Sequence, residues 1–177
     1  MNLLQLMKNR RSIRRYQDTA VSREKLLKVL EAGRIAPSWK NAQPWRFVVV
    51  SEETLRVQLG ELLNFNPDRS AYEKAPYVIV AYAYPELSGD MDEKPYYLVD
   101  TAISLEHMVL QAEELGLGTC WVGWFYEDKI KKLLGIDSAC KIVAITPLGV
   151  PDEAPPARAR KKLGEIAFEN KAGNPID

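Results

Sequence analysis

Tyr97-Leu98-Val99-Asp100-Thr101-Ala102-Ile103-Ser104-Leu105-Glu106-His107-Met108-Val109-Leu110-Gln111-Ala112-Glu113-Glu114-Leu115-Gly116 constrains the architecture more than any other stretch. At about 100° per residue, its apolar positions 99, 102, 103, 105, 108, 109, 110, 112 and 115 spread over roughly two-thirds of a helical cylinder. One contact face does not consume that much surface. Asp100, Ser104, His107, Gln111 and Glu114 share a narrow polar arc, so the rest must pack between two layers of its own domain or against a partner. In a chain of 177 residues the partner is the favoured reading, which makes this helix the core of a homodimer. Glu106 and Glu113 interrupt the apolar arc and must find donors or sit at the edge of the contact. Gly116 ends the helix as a left-handed cap.

Working outward, Thr119 to Trp124 and Lys141 to Leu148 read as strands, separated by a helix over Asp128 to Leu134 that Gly135 stops. Upstream, Tyr77 to Tyr84 is a continuous apolar run of the kind found in a central strand, and Trp45 to Val50 is a second strand. Leu55 to Leu63 reads as a short helix. Ser22 caps another, with Glu24 in its first turn and Leu26, Leu27, Leu30 and Ile35 as its apolar face before Pro37. Leu3 to Lys8 is a short amphipathic helix, whereas Asn66 to Glu73 and Ser88 to Pro95 read as irregular surface segments. Beyond Pro147 the chain turns through Pro151, Pro155 and Pro156 into a basic tail, weakly amphipathic at Leu163, Ile166 and Phe168.

The length suits one domain over residues 1–177. Lys and Arg number 24 and so do Asp and Glu, a formal net charge of zero that argues against nucleic acid or any general polyanion as partner. Cys120, Cys140 and His107 are too few for a disulfide framework or a metal site, which points to a reducing, cytoplasmic location without bound metal. No segment approaches the roughly 20 apolar residues that span a bilayer. The first residues carry arginines and no acid before Asp18, as transit peptides do. They run directly into a patterned helix with no small-residue processing site and are read as part of the domain.

Two basic clusters stand out against the neutral total: Arg10-Arg11-Ser12-Ile13-Arg14-Arg15 and Arg158-Ala159-Arg160-Lys161-Lys162. If the fold joins them they make one anion site, because arginine forks and the Ser12 hydroxyl match the oxygens of a phosphate monoester. The alternative is solvated charge, or pairing with the equally numerous acids. Neither Gly-x-Gly-x-x-Gly nor Gly-x-x-x-x-Gly-Lys-Ser occurs, so charge rather than a glycine cradle must hold such a phosphate. In Pro37-Ser38-Trp39-Lys40-Asn41-Ala42-Gln43-Pro44, the groups of Ser38, Asn41 and Gln43 can read the edge of a planar heterocycle. Trp39 either stacks on a ring or fills an interface, and Trp45 belongs to the core. In Gly116-Leu117-Gly118-Thr119-Cys120-Trp121-Val122-Gly123, Gly123 lets another molecule approach the backbone closely, unless these are merely turn glycines beside packing tryptophans.

Taken together and in order, these four segments resemble the FMN-dependent nitroreductase-like flavoproteins in their short single-domain form. Arg10-Arg11-Ser12-Ile13-Arg14 is similar to an Arg-x-Ser-x-Arg/Lys phosphate motif, and residues 37–45 to Pro-Ser-x-x-Asn-x-Gln-Pro-Trp. Residues 116–123 are similar to Gly-Leu-Gly-Thr-x-Trp-Ile-Gly, and residues 158–161 to a closing basic motif. The resemblance implies an α+β fold with a central mixed, mainly antiparallel sheet flanked by helices, in an intertwined homodimer. It implies FMN as cofactor, with Arg10, Ser12 and Arg14 on its phosphate and ribityl chain and Arg158 and Arg160 closing on the phosphate; Arg11 matches a position that serves either purpose. Pro37, Ser38, Trp39, Asn41 and Gln43 reach the flavin from the other subunit, while Trp121, Val122 and Gly123 lie near the ring, the Gly123 amide facing N5. Asn66 and Arg69 are candidates for one further contact. The implied activity is oxidation of NADH or NADPH and reduction of nitroaromatics, quinones or related acceptors by ping-pong transfer through flavin N5, with no catalytic side chain. Flavin storage is the alternative, or a different flavin chemistry: dehalogenation, flavin fragmentation or azoline oxidation. The brevity of residues 87–96, where larger relatives cover the substrate pocket, leaves the acceptor open.

Overall fold

A computed structural model describes residues 2–63 and 69–176. Its elements in chain order are α1 (Leu3–Asn9), α2 (Arg23–Arg34), β1 (Trp45–Val50), α3 (Glu53–Glu61), α4 (Ser70–Lys74), β2 (Tyr77–Ala83), β3 (Asp90–Met91), β4 (Lys94–Pro95), α5 (Tyr96–Glu114), β5 (Gly118–Thr119), α6 (Glu127–Leu134) and β6 (Lys141–Gly149). The apolar run predicted to be a central strand is one: β2 pairs with β1 on one side and β6 on the other, and the sheet order is β1-β2-β6-β5. All these ladders are antiparallel; a parallel bridge between Ser12 and Thr119 supplies the mixed element.

The unbroken apolar character of β2 follows from burial on both faces. Val78 and Val80 join Tyr16, Leu59, Tyr72, Ile130 and Ile145 in a core under α3, α4 and α6. Ile79 and Ala81 point the other way, into a second core with Leu26, Val29, Leu105, Met108 and Ala112 from α2 and α5. The strand period of two thus divides one sequence run between two helix layers. Helix ends follow their sequence signals as well: the Ser22 side chain accepts the Lys25 amide hydrogen bond at 3.3 Å, and Gly116 and Gly135 take φ of 73° and 65°.

Four expectations need correction. The strand expected over Thr119 to Trp124 is reduced to β5 and a single bridge between Val122 and Ile145. The Cys120 amide donates to the Thr146 side chain at 3.1 Å instead of to a ladder carbonyl, and that interrupts the pairing. Ser88 to Pro95 is not irregular throughout, since β3 and β4 form a hairpin whose turn residues Asp92 and Glu93 have φ of 53° and 60°. Ser70–Lys74 is a helix rather than loop, secured where the buried Arg56 guanidinium donates to the Tyr72 and Glu73 carbonyls; Asn66 lies outside the described residues.

The fourth correction concerns the polar arc of α5, which is not its solvent face. Asp100 is 2% exposed and Ser104 is fully buried, whereas Val99 is 52% exposed. Ser104 donates to the Gly33 carbonyl at 2.7 Å where α2 crosses, and a Cβ on Gly33 would lie 2.6 Å from Met108 Sδ, so glycine permits this close crossing. The open face is instead Val99, Ala102, Ile103, Glu106, Leu110 and Glu113, which fall within about 100° of arc opposite the buried side. Leu3, Leu4 and Met7 of α1 are exposed too.

Candidate functional site

Buried anchors inside the first basic cluster set its shape. Ile13 and Tyr16 are 5% and 1% exposed; the Ile13 amide donates to Thr119 O at 2.8 Å and the Tyr16 hydroxyl to Ile13 O at 2.7 Å. These contacts fasten residues 10–16 beside β5 and leave the intervening arginines to the surface. The tail returns alongside, its Asp152 amide donating to Arg15 O at 2.9 Å. The two basic clusters therefore meet. Arg10, Arg11, Ser12 and Arg14 on one side and Arg158 and Arg160 on the other line a cleft of about 530 Å³, floored by Pro155 and Pro156.

Within this cleft the arginines differ in use. Arg11 donates to the carbonyls of Lys8, Asn9, Arg10 and Pro155, at 2.7 to 3.1 Å, and thereby ties the end of α1 to the tail. Its fork builds the wall. Arg15 pairs with Glu153 at 3.4 Å, but among the described residues no carboxylate lies within 4.0 Å of the guanidinium of Arg10, Arg14, Arg158 or Arg160. Pairing with acids, the bland reading of the clusters, does not describe these four. The Arg14 and Arg160 side chains donate to the nearby Ser12 and Ala159 carbonyls, at 3.3 and 3.4 Å, and converging cations without carboxylate partners among the described residues leave a positive field which an entering dianion would neutralise. The same field reaches α5: burial raises the carboxyl pKa of both Glu106 and Glu113 above the usual range, and Arg10 opposes the shift in each. Burial likewise raises the Cys120 thiol, against the pull of Arg14.

Glu153 is a site residue that sequence reasoning missed. Its carboxylate accepts the amides of Arg14 and Arg15, at 2.5 and 3.1 Å, and fixes the orientation of that peptide segment. A lone acid in a proline-rich tail carries no periodic signal by which to find it. Gly118 matters for a related reason: a Cβ there would stand 2.8 Å from Ile13 Cβ, inside contact distance of a stiff β-branched side chain. Gly118→Ala is expected to push the basic segment off β5 and cost about 1–3 kcal/mol, the usual range for overpacking. Thermal denaturation checks this; an unchanged melting temperature rejects it.

Beyond β5 the chain carries Trp121, 41% exposed, Val122, held to Ile145 by a reciprocal amide pair at 2.9 Å, and Gly123. A Cβ on Gly123 would meet only Trp121 Nε1, at 3.8 Å, so its surroundings are open. Loop 37–44 lies elsewhere. Trp39 and Asn41 bound a single 3-10 turn, and Lys40, Asn41 and Gln43 have φ of 46°, 57° and 49°, a left-handed conformation unusual for three non-glycine residues so close together. The Gln43 amide donates to Ser38 Oγ at 2.9 Å, and the Gln43 side chain to the Asn41 carbonyl at 3.2 Å. Trp39 stacks on Tyr96 of its own chain, with centroids 6.2 Å apart, and Trp45 is buried, as its core reading expects.

One protomer consequently does not assemble the whole predicted set. Loop 37–44 contacts the N-terminal end of α5 at Asp100, whereas Arg10 influences Glu106 and Glu113 toward the C-terminal end. Thirteen helical residues separate Asp100 from Glu113, about 20 Å at 1.5 Å each. Arg69 is exposed beside α4 and lines neither part.

An antiparallel α+β sheet protein with an arginine-lined cleft at its edge is the class this geometry defines. The model of the Nitroreductase family matches residues 7–68 and 65–150, and the chain belongs to that family. A crystal structure of a nitroreductase family protein from Clostridium novyi NT is 39% identical, with a TM-score of 0.83 over 99% of this chain and 98% of that one. An FMN-dependent nitroreductase from Clostridium difficile R20291 is 29% identical, with a TM-score of 0.83 over 95% and 99%. The NADH dehydrogenase of Thermus thermophilus is 30% identical over 81% of this chain and 84% of its own. Among the described residues no helix is long and apolar enough to cross a membrane.

Proposed function

We propose that this protein, acting over residues 1–177 as one FMN-binding domain in the cytoplasm, oxidises NADH or NADPH and reduces nitroaromatics, quinones or related acceptors. The observation that carries the proposal is the cleft in which Arg10, Arg14, Arg158 and Arg160 converge without carboxylate partners among the described residues. Such a donor set suits the phosphate dianion of FMN. The cofactor, when bound, supplies a ring that accepts and returns two electrons at N5. The protein's part is to hold it, to orient it and to stabilise negative charge. Arg10, Arg14, Arg158 and Arg160 bind the phosphate, Ser12 adds a hydroxyl, and Arg11 keeps the cleft wall in place. Gly123, whose surroundings are open, would let the ring approach its backbone, and its amide would there supply a fixed dipole for the negative charge of the reduced ring. Trp121 and Val122 flank it.

The second half of the site comes from a partner in this reading. Two copies of α5 pack through their open stripes about a two-fold axis, which places loop 37–44 of one protomer over the arginine cleft of the other. Pro37, Ser38, Trp39, Asn41 and Gln43 then close the site. The opposite placement of the two half-sites along α5 is what an isologous, antiparallel contact requires.

The first experiment is the absorbance spectrum of the purified protein, with mass identification of the released chromophore. Steady-state oxidation of NADH and NADPH with a quinone and a nitroaromatic follows. A bound flavin without turnover favours the storage reading, and turnover confined to a halogenated aromatic favours dehalogenation. Protein with no affinity for FMN overturns the proposal. Gly123→Val gives a sharper check on the N5 assignment. Gly123 lies outside the left-handed region and faces open space, so the fold should tolerate the change. Valine keeps the backbone amide, but its side chain would hold the ring away from it, so turnover is expected to fall by up to about 100-fold, the size of one preorganised donor put out of reach, at an unchanged melting temperature; turnover at the unsubstituted level removes Gly123 from the site.

A further inference from the structure

Asp100 is a carboxylate almost wholly removed from solvent, at 2% exposure, and it forms no ion pair among the described residues. Both of its oxygens are nevertheless committed. Oδ1 accepts the Trp39 amide at 2.9 Å and Oδ2 accepts the Ser88 hydroxyl at 2.8 Å. The two donors belong to segments far apart in sequence: Trp39 opens the 3-10 turn of loop 37–44, and Ser88 leads into the β3–β4 hairpin. The Trp39 ring also lies against both α5 and the segment after Ser88. The Trp39 indole stacks on Tyr96, and Gly89 approaches it so closely that a Cβ there would stand 2.8 Å from Cε2 and Cζ2.

Loop 37–44 holds its own shape through local bonds, from the Asn41 amide to Ser38 O at 3.1 Å and from the Ala42 amide to Trp39 O at 2.9 Å. Its C-terminal end is fixed to the sheet, where the Tyr84 amide donates to Pro44 O at 3.1 Å. None of those bonds reaches α5. The Asp100 bond and the Trp39 stack on Tyr96 make that connection, and a charge-assisted bond to a peptide amide is the stronger kind.

We propose that Asp100 is a positioning residue of the cofactor site: it locks loop 37–44 and the hairpin of residues 88–95 to the first turns of α5 as one rigid rim. This rests on the proposed function, since that loop contributes the partner's half of the FMN site. Ser88 couples the hairpin to the same carboxylate that holds Trp39, so the two segments are fixed to one point of α5. Asparagine can reproduce the tether, its Oδ1 accepting from Trp39 and its Nδ2 donating to the Ser88 hydroxyl. Alanine cannot.

The test compares the full-length protein with Asp100→Ala, Asp100→Asn and Ser88→Ala by FMN fluorescence titration and by hydrogen exchange at the Trp39 amide. Asp100→Ala is expected to weaken FMN binding about tenfold and to speed Trp39 exchange by at least about tenfold, the size of one charge-assisted bond. Asp100→Asn is expected to restore most of both, a rescue that general loss of stability would not produce. Ser88→Ala is expected to speed exchange over residues 89–95, with the Trp39 amide still protected by Asp100. An Asp100→Ala protein with unsubstituted FMN affinity and a still-protected Trp39 amide overturns the inference. Should that variant not fold, unchanged exchange over residues 89–95 in Ser88→Ala does so instead. The exchange measurements need no flavin, so failure of the FMN reading and failure of the tether are told apart.

Discussion

The double variant Arg10→Ala, Arg160→Ala should purify colourless, with its FMN dissociation constant raised by about two to four orders of magnitude. Each guanidinium would contribute a charge-assisted bond of about 1.5–3 kcal/mol, and both line the one cleft. Either single variant should lose roughly tenfold to a hundredfold on the same basis. The fold itself should be indifferent, because neither arginine has a carboxylate partner to strand and removing either relieves repulsion between like charges. A melting temperature of the flavin-free protein that holds or rises therefore accompanies the lost affinity. Salt dependence of FMN binding should weaken along with it. Arg15→Ala is the control: that side chain is 63% exposed and already pairs with Glu153, and an exposed pair contributes only about 0–1 kcal/mol. Titration calorimetry separates the cases. Full yellow colour in the double variant would remove the phosphate from this cleft.

The second large effect concerns the open face of α5. If α5 is the seam of the proposed dimer, Val99→Asp is expected to yield a monomer and, because half of each proposed site then leaves, to abolish FMN retention. On one chain Val99 is 52% exposed, so aspartate there remains hydrated and the protomer should keep its far-ultraviolet circular dichroism. Inside a symmetric contact the same carboxylate is buried twice, once from each copy, with an effective desolvation cost of several kcal/mol per ion. That amounts to a rise of about three orders of magnitude or more in the dimer dissociation constant. Val99→Ala should leave the assembly intact. Sedimentation velocity with the flavin spectrum recorded on the same sample reads both quantities; a dimeric, yellow Val99→Asp protein would exclude α5 as the interface.

Local signals carried much of the structure. The β2 run was legible because strands buried on both faces need no alternation, and the ends of α2, α5 and α6 were legible because serine caps and left-handed glycines satisfy backbone groups within a few residues. The basic clusters and residues 37–44 could be singled out by composition and spacing. Asp100 and Ser104 could not be placed correctly. On a helical wheel they look like a solvent arc, but α2 and loop 37–44 cover them, and burial by a segment some 60 residues away leaves no mark on local periodicity. The strand after Thr119 was overextended for a similar reason: Thr146, on β6, takes the Cys120 amide that a ladder carbonyl would otherwise have received.

From residue order alone came the elements, the candidate groups and the family likeness, since each depends on chemistry spaced within a turn, a strand or a short motif. Tertiary structure decided which of those groups meet. It joined Arg10 and Arg14 to Arg158 and Arg160, and left loop 37–44 at the other end of α5. It also turned Arg11 and Glu153 into supports of the cleft. Contacts of that kind depend on how helices and sheet pack across long sequence separations, and a side chain's partner is fixed only when the layers close around it.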